Sequence, residues 1–144
     1  MENIPLKSDD GVQNEALVDQ QTMFAPQFLE QFKLPGEIPA THYQNKIELQ
    51  GYTVFEILSD VAWSIAVIDL QEAPKHFHKL GQERFLVLNG ELNIALDGVP
   101  HILKAGQSVH IPPGIVHHLK SNLETPVRVL CINFPAFDAT DFYT

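Results

Sequence analysis

Residues 76–90 read HFHKLGQERFLVLNG, and this stretch decides how the chain is interpreted. His76 and His78 are two positions apart, so on a β-strand both imidazoles would point to the same face. Glu83 comes five positions after His78, an offset that would place its carboxylate on the opposite face of a straight strand. We therefore expect the strand to be broken between them, where Gly81 permits a turn or a bulge. With that break, Glu83 faces the same interior as the two imidazoles.

A second stretch, residues 106–117, reads GQSVHIPPGIVH. Its turn-forming run, Pro112-Pro113-Gly114, should start a strand that carries His117 back into the same interior. Three imidazoles and one carboxylate suit one divalent transition metal, such as Fe, Mn, Ni, Cu or Zn. In six-coordinate geometry these ligands would leave positions open to water, a bidentate substrate, or a substrate with dioxygen. The alternative is that all four are ordinary polar residues on a protein surface.

Beyond about residue 46, the chain shows short apolar runs separated by turn residues such as Asn89-Gly90 and Asp97-Gly98. This regular spacing indicates an all-β sandwich or barrel rather than βαβ units. The candidate strands are Thr53–Leu58, Trp63–Leu70, Arg84–Leu88, Glu91–Leu96, His101–Lys104, Ser108–Ile111, Val116–Lys120 and Val127–Phe134.

Two of these runs, Phe85–Leu88 and Ile65–Ile68, are apolar on both faces. A strand with one face in water should instead alternate polar and apolar residues. Both faces should therefore be covered, either by the segment 22–58 or by a second subunit. Because a symmetric dimer is the commonest assembly, we expect a homodimer.

Composition excludes several classes of protein. The chain has 144 residues and 16.2 kDa, with 18 acidic and 9 basic side chains and a net charge of −9. That charge disfavours nucleic acid and anionic membrane surfaces as partners. The single Cys131 cannot form an internal disulfide or a thiolate zinc site. The sequence contains no signal-peptide pattern and no apolar run long enough to span a membrane, so we expect a cytoplasmic protein.

The two stretches together resemble the two motifs of the cupin superfamily. Residues 76–90 follow His-x-His-x(4)-Glu-x(6)-Gly, and residues 106–117 follow Gly-x(5)-Pro-x-Gly-x(2)-His. The resemblance implies a small all-β barrel of the jelly-roll type, also called a double-stranded β-helix, with a metal inside near one mouth. The matching ligand positions are His76, His78, Glu83 and His117. Leu70 and Ser121 depart from the family pattern, which has glycine and asparagine there, and both lie away from the ligands.

The chain accordingly divides into three parts. Residues 1–21 are polar and acidic, and we expect a flexible N-terminal arm because they cannot bury enough surface to offset their ordering entropy. Residues 22–46 should form a short helix and a linker that pack on the barrel, since Phe24, Phe28 and Phe32 recur at helical spacing. Residues 47–144 should form the cupin β-barrel.

Family resemblance leaves the reaction open, because cupins with this ligand set include dioxygenases, isomerases, epimerases and decarboxylases. We expect a small-molecule metalloenzyme. No carboxylate other than Glu83 is evident in the pocket, which favours dioxygenase-like, oxidative chemistry over chemistry that needs a general acid or base. The alternatives are a sugar isomerase or epimerase, and a metal-dependent protein that binds a small sugar-like ligand without turning it over.

The remaining histidines have weaker assignments. His118 directly follows His117 in a strand, so its side chain should point to the opposite face, at the surface or at an interface. His110 is a candidate for supporting a ligand, His42 for a lid, and His101 should be solvated. Asn133 shares a strand face with Cys131 and would reach the pocket if that face points inward.

Overall fold

The structure, a computed structural model, describes residues 26–144, and the expected arm at residues 1–21 lies outside them. An α-helix, α1, spans Pro26–Lys33, and a 3-10 turn spans Ala40–His42. Ten strands follow: β1 (Asn45–Leu49), β2 (Tyr52–Ser59), β3 (Ser64–Leu70), β4 (Glu72–His76), β5 (Gln82–Asn89), β6 (Glu91–Leu96), β7 (Val99–Lys104), β8 (Ser108–Ile111), β9 (His117–Ser121) and β10 (Val127–Phe134). Between residues 26 and 144, no helix has the length and apolar character needed to cross a membrane.

The strands form two antiparallel sheets. One has six strands in the order β1-β2-β3-β10-β5-β8, and the other has four in the order β4-β9-β6-β7. Over the described residues, no strand pair joins one sheet to the other, so this is a jelly-roll-like sandwich rather than a barrel closed by backbone hydrogen bonds. The predicted all-β jelly-roll class is confirmed.

Two strands, β1 and β4, were not among the candidates. All five residues of β1 are exposed, so its sequence carries no sign of burial. β4 contains Pro74, which argues against a central strand because proline cannot donate to the ladder. The structure places β4 at the edge of the four-stranded sheet, where proline is tolerated.

An apolar core fills the space between the sheets. Val87 and Val129 of the six-stranded sheet and Ile94 and Leu119 of the four-stranded sheet belong to one buried cluster. These side chains are 1% exposed or less. Phe85 and Val87 of β5 belong to this cluster, and Glu83 lies on the same inward face of that strand.

A second cluster covers the outer face of the six-stranded sheet. Leu29 and Phe32 of α1 pack there against outward-facing residues such as Val67 and Leu130. The chain's own segment therefore covers the second apolar face, as the first of the two alternatives predicted. The observation that motivated the dimer is thus explained within one chain.

A buried arginine links the segment that follows α1 to the six-stranded sheet. Arg128 of β10 donates from Nε to Asp69 Oδ1 at 2.7 Å and from Nη1 to the Leu34 carbonyl at 2.7 Å. Since a buried charge needs a partner, the ion pair and the carbonyl bond hold the segment after α1 in one position.

Candidate metal centre

Four side chains converge at one end of the sandwich. His76 ends β4, His78 follows two residues later, Glu83 lies in β5, and His117 begins β9. Each offers one ligand atom, and these atoms all lie within 4.8 Å of one another. All four residues are buried, and His117 is 0% exposed.

The expected break between His78 and Glu83 is present. β4 ends at His76, and β5 begins at Gln82, so the residues between them form a loop. Gly81 is not at a positive φ, so the break does not depend on its conformational freedom. Gly114, at φ +88°, does use that freedom, and its amide donates to the His78 carbonyl at 2.7 Å. This bond links the two sequence stretches.

Backbone carbonyls orient all three imidazoles in the same way. Nδ1 of His76 lies 2.7 Å from the Pro74 carbonyl, and Nδ1 of His117 lies 2.9 Å from the Ile115 carbonyl. Nδ1 of His78 lies 2.6 Å from the Asp141 carbonyl. A carbonyl only accepts, so each Nδ1 must carry the proton. When such a ring is neutral, as metal binding requires, its Nε2 presents a bare lone pair to the centre.

The residues present fit a metal cation. The buried atoms His78 Nε2, His117 Nε2 and Glu83 Oε1 have no hydrogen-bond partner. Glu83 Oε1 lies 3.0 Å from His117 Nε2 and 3.5 Å from His78 Nε2, but both nitrogens are acceptors in this tautomer. Buried acceptors that face only one another are costly, and a cation bound between them would satisfy them all.

The electrostatics of the group also favour a cation. Burial opposes ionisation of Glu83, but in metal-free protein the hydrogen bonds and positive charge of protonated His117 and His78 more than offset it and hold the pKa of the carboxyl below its usual range. Burial, followed by the nearby His117, lowers the pKa of His76 to about 4. At neutral pH the centre therefore combines a carboxylate with a neutral His76.

Asn133 holds the carboxylate in position from behind. Its Nδ2 donates to Glu83 Oε2 at 3.0 Å, and its Oδ1 accepts from Cys131 Sγ at 3.3 Å. One carboxylate oxygen is thus held by the amide, and the other is directed at the imidazoles. Asn133 and Cys131 both line the cavity, so the condition under which Asn133 would reach the pocket is met.

We expect Asn133→Ala to weaken metal binding by about 10–100-fold, because loss of a group that orients a ligand typically has an effect of that size. Titration of the metal-free protein with Zn²⁺ or Mn²⁺ measures it. Asn122→Ala is the matched control, since the Asn122 amide also donates to a carboxylate, that of Glu91 at 3.0 Å, but at an exposed site. Equal affinities for the two variants would contradict the assigned role.

The C-terminal segment supports the centre in a way that sequence analysis missed. The Asp141 carboxylate accepts from the amides of Lys79, Leu80 and Gly81 at 2.8–3.3 Å, which fixes the loop between His78 and Glu83. Those amide bonds outweigh desolvation and lower the pKa of Asp141. The Phe142 ring stacks on His76 with centroids 4.3 Å apart. Nothing in the spacing of the motifs points to residues so near the end of the chain.

The other histidines lie outside the group. His118 bonds Glu72 at 2.7 Å on the exposed side of the four-stranded sheet, the face opposite His117, as the alternation of strand side chains predicted. His110 bonds Gln82 at 2.7 Å, and its partner across the strands is Arg84, on the face away from the cavity. The ring of His42 packs edge-on against Phe32, 6.1 Å away between centroids. His101 of β7 pairs with Ile94 of β6.

A mainly apolar cavity of about 490 Å³ opens onto the centre, with both His76 and Glu83 in its wall. That volume falls within the range of small-molecule sites. Its wall also contains Glu56 of β2. The expectation that the pocket holds no carboxylate besides Glu83 was therefore wrong, because β2 belongs to the same sheet as β5 and Glu56 lies on its inward face.

Comparison with known proteins identifies the family. The cupin domain model matches residues 67–133, which include all four converging residues. This chain is a small cupin-superfamily protein. Among curated proteins, 66 residues of this cupin are 27% identical to an uncharacterised protein, MJ1618, of Methanocaldococcus jannaschii. The match covers 46% of this chain and 53% of that protein, so this cupin spans about half the length of its curated relative.

Solved structures support the same fold. Streptomyces Pac13, described as a nucleoside dehydratase and solved with uridine, superposes with a TM-score of 0.63 at 12% identity, over 76% of this chain and 89% of that one. KdgF from Halomonas gives 0.63 at 16% identity, over 74% and 99% of the two chains. The cupin domain of Schizosaccharomyces pombe Cnp3 gives 0.59 at 15% identity, over 71% and 74%. At these identities the likeness shows the fold alone.

Proposed function

We propose that this cupin is a metalloenzyme of small-molecule metabolism that binds one divalent transition metal through His76, His78, Glu83 and His117. The observation that carries the proposal is the set of buried acceptor atoms that face one another without a hydrogen-bond partner. The adjoining cavity supplies room for a small molecule beside the metal. The neighbouring structure with uridine is a precedent for a small-molecule ligand in this fold.

A redox-active metal would supply oxidative, dioxygenase-like chemistry, and a redox-inert one would polarise a carbonyl or hydroxyl for isomerisation or epimerisation. The protein's contribution is the same in both cases. The carbonyl-bound imidazoles and the Asn133-bound Glu83 keep the ligand atoms in place, and the apolar wall limits the access of water. Glu56 also lines the cavity, but it lies on β2, three strands from Glu83, too far to exchange a proton beside the metal ligands.

Metal analysis combined with turnover assays tests the proposal. The purified protein should carry about one metal per chain, and protein reconstituted with Fe²⁺ or Zn²⁺ should be assayed with small diols, thiols and keto acids. Oxygen consumption with Fe²⁺ indicates a dioxygenase, whereas isomerised product with Zn²⁺ and no oxygen uptake indicates the alternative. Ligand binding without turnover under either metal would point to the non-catalytic binding protein. A preparation that binds no metal would overturn the proposal.

The metal contribution to stability should grow with pH. Burial lowers the pKa of His78, but its contacts with Glu83 and Asp141 outweigh this and raise it above its ordinary value. In metal-free protein, protonated His78 therefore adds stability below about pH 6.5, and this is lost as pH rises through the raised pKa. Metal needs the neutral ring, so protons compete with it at low pH. Differential scanning fluorimetry should show the gap in Tm between metal-loaded and metal-free protein widening from about pH 6 to about pH 8. A gap that is constant or narrows would contradict this.

The homodimer remains a prediction, and β1 gives it new support. This strand is an unpaired sheet edge, and its inward-facing Ile47 and Leu49 are 41% and 48% exposed. Unpaired edges with apolar side chains are common sites of association. Light scattering should give twice the chain mass of 16.2 kDa, and Ile47→Lys should shift the protein toward the monomer. A monomer for the unmodified chain at all concentrations would exclude the dimer.

A further inference from the structure

Glu56 and the metal-ligand candidates lie at different positions in one cavity wall. The inward-facing residues of the six-stranded sheet form cross-strand rows, and one row contains Glu56, Ala66, Cys131 and Phe85. Glu83 belongs to the next row, on β5, three strands away from β2. Strands in a sheet are about 4.8 Å apart, so the two backbones are separated by about 14 Å along the sheet. A ligand in the cavity can therefore contact both ends.

Glu56 has no partner within the described part of the chain. Its carboxylate makes no ion pair and no hydrogen bond there, although the side chain is half-buried. Lys46 of β1 does not neutralise it, because Lys46 pairs with Phe55, lies over the Phe55 ring and binds Glu48 at 3.6 Å on the outer face. Among the described residues, the cavity wall contains no lysine and no arginine.

The cavity therefore has two electrostatically different ends. A divalent cation bound beside Glu83 would leave that end positive, whereas Glu56 makes the other end negative. The wall between them is formed mainly by apolar side chains such as Ala66, Ile68 and Phe85. Charged groups in such surroundings interact more strongly than they do in water.

We propose that Glu56 determines ligand specificity by binding a protonated amine at the end of the ligand opposite its metal-chelating oxygens. The ligand class is a short, mainly apolar molecule with oxygen donors at one end and an ammonium group at the other. The chelating half of this inference rests on the proposed metal site, whereas the ammonium half depends only on Glu56 and the apolar wall.

The test compares two matched probes on the zinc-loaded protein by isothermal titration calorimetry. ε-Aminocaproic hydroxamate carries a chelating head and an ammonium tail, and heptanoic hydroxamate has the same head and the same length with a methyl group in place of the ammonium. The aminated probe should bind about tenfold more tightly to the unmodified protein, as expected for a hydrogen bond to a charged group. Glu56→Gln, which is nearly isosteric, should abolish that preference.

Glu48→Gln is the matched control, because Glu48 lies on the adjacent strand with its side chain on the outer face and 73% exposed. It should retain the preference for the aminated probe. Equal binding of the two probes by the unmodified protein would overturn the inference, and so would a preference that survives Glu56→Gln in protein with a native circular dichroism spectrum.

Failure of the metal site is detected separately. Zinc content is measured for each protein before titration, and Glu56→Gln should match the unmodified chain. If no zinc binds, the proposed function fails, and the ammonium half is then tested with n-hexylammonium and n-hexanol on metal-free protein. Preference for the ammonium compound that depends on Glu56 would support the inference in that case, and its absence would overturn it.

Discussion

Replacement of His117 by alanine should reduce metal affinity by at least about 100-fold, the upper end of the effect of losing a group that merely supports a ligand. His117 is fully buried, its Nδ1 is bonded to the Ile115 carbonyl, and its Nε2 lies 3.0 Å from Glu83 Oε1. Its removal takes away one of three imidazole donors, and no other histidine among residues 26–144 belongs to the group. Inductively coupled plasma mass spectrometry of the purified protein, together with Zn²⁺ titration, measures the loss.

The neighbouring residue provides the control. His118→Ala removes an imidazole from the same strand, but that ring points to the other face and bonds Glu72. Its metal content should equal that of the unmodified chain. Because His117→Ala leaves a cavity, His117→Gln keeps most of the volume and separates loss of ligation from loss of packing. Full metal content in a folded His117 variant would exclude this residue as a ligand.

The side-chain period of strands made the centre predictable. A two-residue spacing places His76 and His78 together, and the odd offset to Glu83 requires a break, which the structure has. The turn predicted before His117 is also present, with Gly114 at a positive φ, and β9 begins at His117. These relations are local, so they can be read from spacing without knowledge of the sheet order.

The supporting residues were not predictable because they depend on long-range register. Asp141 contacts the loop at Lys79–Gly81 about 60 residues earlier, and Phe142 reaches His76 across a similar separation. Glu56 enters the cavity because β2, β3, β10 and β5 are neighbours in space in an order that differs from their order in the chain. A single sequence does not contain that order, so sequence analysis did not recognise Glu56 as part of the cavity wall.

The two faces of the six-stranded sheet illustrate a related limit. Their apolar character predicted that both were covered, but it could not distinguish the chain's own segment from a second subunit. In the structure, Phe32 is 1% exposed and belongs to the outer cluster with Leu29 and Leu130. α1 therefore covers the outer face, while the metal-ligand candidates lie on the inner side of the same sheet.

Because α1 and the metal-ligand candidates lie on opposite faces of the sheet, a substitution in α1 should lower stability strongly and change metal binding little. Phe32→Ala should reduce the free energy of unfolding by about 3–5 kcal/mol, the usual range for a large aromatic side chain removed from a core. Urea unfolding of the metal-free protein measures it. Leu34→Ala is the matched control, because Leu34 follows α1 directly and is 75% exposed, so its loss should change stability by about 0.5 kcal/mol or less.

Measuring the metal affinity of the Phe32 variant tests whether the outer apolar cluster and the metal centre are independent. Phe32 packs on the outer face, whereas Glu83 projects from the inner face of β5, so folded Phe32→Ala should bind Zn²⁺ with unchanged affinity. If a second subunit rather than α1 covered the outer face in solution, Phe32→Ala would instead be as mild as Leu34→Ala. A large loss of metal affinity in folded Phe32→Ala would mean that the outer layer positions Glu83 through the sheet, contrary to the independence argued from the two clusters.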